Sequence, residues 1–137
     1  MDVVELIARI VFALLFLEYG SMHLRQRQGM IAYAKSFNAP FPELSVPVSG
    51  VMMLSGGLMI ATGIWPDLGA LLIIAFVLPA GFVGHKYWAE TDWGMRAAQK
   101  AQFWKNIAIV GGALYIFATA VNAGDDMPLT LVGPLFG

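Results

Sequence analysis

Ile64-Trp65-Pro66-Asp67 is the single turn between two long apolar runs, residues 46–64 and 68–83. A helix rising about 1.5 Å per residue needs about 20 residues to cross a hydrocarbon core of about 30 Å. Two runs of roughly that length with so short a connection make an antiparallel transmembrane hairpin. Comparable runs lie outside it, at 3–24 and 103–123. The expected fold class is all-α: an integral membrane four-helix bundle with spans at about 3–24, 45–64, 67–87 and 97–123. One transmembrane domain then occupies 1–137, and 124–137 forms a tail that dips back with Leu129, Leu131, Val132, Leu135 and Phe136.

Composition agrees. The chain is 58% hydrophobic and 12% charged, against about 25% charged in a soluble domain. With no cysteine there is no disulfide, thiolate metal site or thiol redox chemistry. A net charge of -1 and the lack of a basic stripe argue against a nucleic-acid partner. Span one reads as a retained helix and not a signal peptide, because Asp2 and Glu5 precede its core and Arg9 interrupts it.

The basic residues orient the bundle. Arg25, Arg27, Lys35, Lys86, Arg96, Lys100 and Lys105 all lie at one end, and only Arg9 at the other. The positive-inside rule places both long loops in the cytoplasm and both termini outside it. Within the first loop, Met30, Tyr33, Ala34 and Phe37 recur at helical spacing, so a short amphipathic helix is expected at the interface between spans one and two. Ser45 is expected to cap span two, Asp67 to cap span three, and Pro79 to bend span three. Small pairs such as Gly57/Ala61, Ala80/Gly84 and Ala108/Gly112 allow close helix packing or an oligomer face.

Charged groups within spans cost about 2.5 to 3.5 kcal/mol on insertion scales and each needs a partner. Glu5 lies four residues before Arg9, the favourable order for a structural ion pair. An anion or carbonyl ligand is the alternative for Arg9. Glu18 projects away from Arg9 on an ideal helix, and its expected partners are Lys105 and Asn106 entering span four from the same end. His23 and His85 fall near that interface on different spans. Haem is therefore not expected, and no third ligand at suitable spacing suggests a metal. The candidate ligand site comprises Glu18, His85, Lys105, Asn106, Trp88 and Trp104, with a quinone or lipid headgroup as occupant. No catalytic nucleophile, phosphate loop or dinucleotide fingerprint is present.

Several stretches resemble the DoxX family of small four-span bacterial membrane proteins. They are Arg9 with Phe16-Leu17-Glu18-Tyr19-Gly20, Gly50 through Gly57 with Gly63, His85-Lys86-Tyr87-Trp88, and Gln102-Phe103-Trp104-Lys105-Asn106 before Gly111-Gly112. The resemblance covers nearly the whole chain. It implies a bacterial cytoplasmic (inner) membrane location and a link to quinone-dependent oxidation as a subunit of a redox complex. The chain departs from the family where Met53 and His23 replace a glutamate and a lysine, and where Glu18 replaces an apolar or histidine-like residue. If the span-two carboxylate serves chemistry in relatives, it is here absent or moved to Glu18.

Two functions compete. One is a quinone- or lipid-headgroup-binding subunit of a larger membrane complex. The other is a non-catalytic accessory or assembly subunit, or a homo-oligomer, that packs against its partner through small-residue faces. An independent transporter or enzyme is disfavoured, because no continuous polar pathway crosses the spans.

Overall fold

The computed structural model describes residues 1–137. It is all-helical, with α1 Asp2–Arg25, α2 Arg27–Ser36, α3 Pro42–Thr62, α4 Pro66–Gly84 and α5 Trp93–Ala123. Its one extended pairing is an isolated parallel bridge between Ile64 and Gly133. Three segments are long and apolar enough to cross a membrane: Pro42–Thr62, Pro66–Ala89 and Trp93–Asp126. Helix α1 has comparable length, 24 residues, but carries Asp2, Glu5, Arg9 and Glu18.

The helices pack in the order α1, α3, α4, α5. The buried residues of α1, Arg9, Ala13, Phe16, Gly20 and His23, alternate at spacings of four and three, which puts them on one stripe facing α3. Glycine brings these two helices together. A Cβ on Gly20 would lie 2.9 Å from the Leu54 nitrogen and 3.0 Å from the Gly50 oxygen. The α3–α4 hairpin is closer still, since a Cβ on Gly56 would lie 2.9 Å from the Gly69 oxygen and one on Gly69 2.8 Å from the Gly56 oxygen. Phe16, Met53, Ile60, Ile73, Val77 and Ala113 fill the centre. Helices α1 and α5 form the two edges of this arrangement and approach each other where Phe12 covers Gly112.

Helices α3 and α4 both start on proline after a left-handed residue, Phe41 at φ 47° and Trp65 at φ 49°. Proline suits a first turn because its missing N–H would have no partner there. This overturns the expected Ser45 cap: α3 begins three residues earlier, and Pro47 lies inside it. Pro47 cannot donate to the Glu43 carbonyl, which instead accepts from Arg27 Nη2 at 3.3 Å. Helix α5 begins at Trp93, ahead of the expected 97, because the Asp92 carboxylate accepts from Met95 N at 2.8 Å. At 31 residues and about 1.5 Å per residue, α5 is roughly 46 Å long, more than a hydrocarbon core needs.

The amphipathic segment between α1 and α3 is helical as expected, but its register differs. Ile31 and Ala34 are the buried pair, while Tyr33 is exposed with its ring edge-on to Phe37 at 5.2 Å. The one ion pair, Lys35 to Glu43 at 2.6 Å, joins the end of α2 to the start of α3.

At the opposite end the tail folds back over the α3–α4 turn. Leu131 N donates to Thr62 O, Gly133 N to Gly63 O, and Trp65 N to Gly133 O. Asp67 does not cap α4 through its side chain. Its fully buried carboxylate instead accepts from Leu135 N at 2.9 Å and Phe136 N at 2.7 Å. Gly63, at φ 71°, has Thr130 packed where a side chain would otherwise stand.

Candidate functional site

At the α2 end a cleft of about 790 Å³ opens among all five helices. Volumes of about 300 to 1,000 Å³ are usual for small-molecule sites. Helix α2 lies across its mouth, and Phe37 reaches to Gly84 at the end of α4. The walls are mainly apolar, including Met52, Met53, Phe76 and Ile109. Met53 is 2% exposed and contributes a thioether where the resembled family often has a carboxylate. The cleft therefore holds no acid at that position.

Its polar groups come from separate helices. His23 on α1 is buried, with Nδ1 2.9 Å from Ser49 Oγ and 3.3 Å from Val46 O. The Ser49 hydroxyl donates its own proton to Val46 O at 2.9 Å, and a carbonyl only accepts. Both contacts require Nδ1 to be the donor, which leaves the lone pair of a neutral imidazole on Nε2. His85 Nδ1 pairs with Gln99 Oε1 at 2.8 Å. Lys105 Nζ donates to Gln102 Oε1 within the same helix. Asn106 is 9% exposed, and its amide has no hydrogen-bond partner in the protein. Pro79 also lines the cleft and has no N–H to offer the Ala75 carbonyl four residues earlier, another lining residue.

Of the expected site residues, His85, Lys105 and Asn106 line this cleft together. The other three do not. Glu18 is on the exposed side of α1 and forms no ion pair with Lys105. The side chain one position on, Tyr19, faces the cleft, so on α1 a step of one residue separates lining from outer surface. Glu18 therefore does not restore the span-two carboxylate. Trp88 and Trp104 join Phe82, Tyr87 and Phe103 in an aromatic cluster beside the cleft, with Phe103 at its centre. Phe103 is the buried member, and both tryptophans remain about half exposed. Sequence reasoning missed Ser49 and Gln99 as partners of the two histidines. The 3-residue step from Val46 to Ser49 on the glycine-rich face of α3 was the available signal.

The expected Glu5–Arg9 ion pair is also not formed. Arg9 is 3% exposed, and its Nη2 donates to Pro128 O at 3.1 Å and Leu129 O at 2.7 Å in the returning tail. Tail carbonyls far along the chain took the place of the neighbouring carboxylate, and no local pattern announces them.

The DoxX family model matches residues 4–86. Inner membrane protein YphA of Escherichia coli (strain K12) is 31% identical over 121 residues, covering 88% of this chain and 86% of the relative. Inner membrane protein YqjF of the same strain is 29% identical over 122 residues, covering 89% and 88%. No solved structure matches. The matched residues include Arg9, the glycine-packed α1–α3–α4 core and His85, so the chain belongs to the DoxX family.

Proposed function

We propose that this protein crosses the bacterial inner membrane four times and holds the ring of a quinone in the cleft, as a non-catalytic subunit beside a redox partner. Asn106 carries the reading. A primary amide offers two donors and an acceptor, and the Asn106 amide uses none of them within the protein while keeping access to the cleft. Asn106 is nine-tenths buried, lines the cleft and has no protein partner. A quinone carbonyl would accept from it, a second carbonyl from Lys105, and the apolar walls would cover the ring and tail.

The membrane placement rests on length, charge and kinship. Helix α1, at 24 residues, is at least as long as two of the three apolar spans and presents Val3, Ile7, Val11 and Leu14 outward. Seven of the eight Lys and Arg lie at the α2 end. The cleft then opens towards the cytoplasm and both termini lie outside it. Both E. coli relatives are named as inner membrane proteins. Ser49 and His23 pair in the cleft wall, but the hydroxyl gives its proton to Val46 O and accepts from Nδ1, so the imidazole is not poised as its base.

One observation favours a second reading, a subunit that packs against a larger complex. Glu18 is exposed seven residues, about 10 Å, from the end of α1. A carboxylate facing lipid at that depth is costly, and a cationic partner helix would relieve it.

Organic extraction of protein purified in mild detergent tests the first reading. Quinone should co-purify, and Ala75→Trp, which fills the cleft from an exposed wall position, should remove it without lowering Tm. Equal quinone content in the two proteins refutes it. Co-purification of a protein that is lost in Glu18→Gln, with no quinone present, would establish the second.

A further inference from the structure

A second cavity, about 220 Å³, lies between α1 and α5 at the tail end of the bundle, with Glu5, Arg9, Gly112, Tyr115 and Thr119 among its lining residues. At about 30 Å³ per water it has room for roughly seven such groups. Its defining feature is Arg9. A guanidinium has five N–H donors. Nη2 gives its two to the tail carbonyls, while Nε and Nη1, with three donors between them, are buried without a partner. A cation so placed needs an acceptor that the chain does not supply. Since both nitrogens are closed off from the cavity as it stands, an acceptor there is met by a turn of the guanidinium towards it.

We infer that this cavity binds the headgroup of an amino-phospholipid, with the phosphate on Arg9 and the ammonium on Glu5. A phosphate ester presents several acceptor oxygens to a guanidinium fork, the geometry in which arginine is most effective. Glu5 lines the same cavity one turn nearer the helix start, about 6 Å along the axis at 1.5 Å per residue. In an amino-phospholipid the phosphate lies towards the acyl chains and the ammonium towards water. The helix offers its charges in that order, cation deeper and anion nearer the surface. Thr119 directs its hydroxyl to the Tyr115 and Ile116 carbonyls of its own helix. With the exposed Tyr115 it contributes mainly wall to the site, and recognition falls to Arg9 and Glu5. An anionic lipid without an amine would meet Glu5 as a like charge, so the pair selects as well as binds. The inference rests on α1 crossing the bilayer, and it is independent of any quinone.

Native mass spectrometry of the full chain released from nanodiscs tests it. Nanodiscs of equal parts phosphatidylethanolamine and phosphatidylglycerol serve as the probe, and soluble phosphoethanolamine as a competitor. Wild type should retain phosphatidylethanolamine preferentially. Displacement by phosphoethanolamine would mark the headgroup alone as the ligand, while resistance to it would mark the intact lipid. Arg9→Gln should lower retention by about tenfold or more, the change expected for one lost charged hydrogen bond. Glu5→Gln leaves the tail contacts of Arg9 untouched, so it should still retain phospholipid but lose the preference for the amine. If Arg9→Gln unfolds, that second variant decides the matter alone. Unchanged selectivity in Glu5→Gln overturns the assignment. So does a wild-type protein that retains neither lipid while still retaining quinone, since the spans would then stand and only this site would fail.

Discussion

Asp67→Ala should release the tail. In the folded chain the carboxylate is fully buried and accepts the backbone N–H groups of Leu135 and Phe136. Hydrogen bonds to a charged group contribute about 1.5 to 3 kcal/mol each, so two give a ceiling of roughly 3 to 6 kcal/mol. The freed amides can reach water once the tail lifts, which brings the expected loss to about 2 to 3 kcal/mol, within the range for breaking a buried charged contact. Amide hydrogen exchange at Leu135 and Phe136 should accelerate strongly, while exchange in the middle of α3 and α4 should change little. The background matters to the sign. In a chain ending at Met127, Asp67 would be a buried charge without donors, and Asp67→Leu should then be neutral or stabilising. Unchanged protection of residues 135 and 136 in Asp67→Ala, or an equal penalty for Asp67→Leu in the full and shortened chains, would refute the latch.

Other expectations follow from close packing and from orientation. Gly56→Ala should destabilise by about 1 to 3 kcal/mol, because its Cβ would meet the Gly69 carbonyl, a backbone atom that cannot turn aside. Gly111→Ala, with open space around it, should stabilise by up to about 1 kcal/mol through helix propensity; thermal melts in detergent read both. Ser49→Ala should cost about 1 kcal/mol by removing the nearer acceptor of His23 Nδ1–H and leaving it the longer contact to Val46 O, and the His23 ring resonances should move with it. A periplasmic reporter fused after Gly137 should be active and a cytoplasmic one silent.

The hairpin at Ile64-Trp65-Pro66-Asp67 was legible because membrane length and a proline-marked turn are both local properties of the sequence. Helix positions followed from apolar runs, and the errors fell at their ends. Asp92, not the later polar stretch, sets the start of α5, and Pro42, not Ser45, starts α3. Polar partners were harder to read. Depth alone paired Glu18 with Lys105, but rotation about the helix decides partnership, and Glu18 is exposed on α1. Depth likewise assigned Asn106 to Glu18, whereas its side chain faces Gly81 of α4 across the core. Arg9 and Asp67 bind backbone atoms of residues 128–136, and a peptide group leaves no mark in the sequence for a side chain to be matched against.

The cleft itself is tested most directly by equilibrium titration of the detergent-solubilised protein with a short-tailed quinone, followed by quenching of tryptophan fluorescence. The expected result is saturable binding that Asn106→Leu weakens by about tenfold, the equivalent of one hydrogen bond of about 1.4 kcal/mol, and that Glu18→Gln leaves unchanged. Absence of saturation in the wild type, or equal affinity in Asn106→Leu, would contradict a quinone site in this cleft.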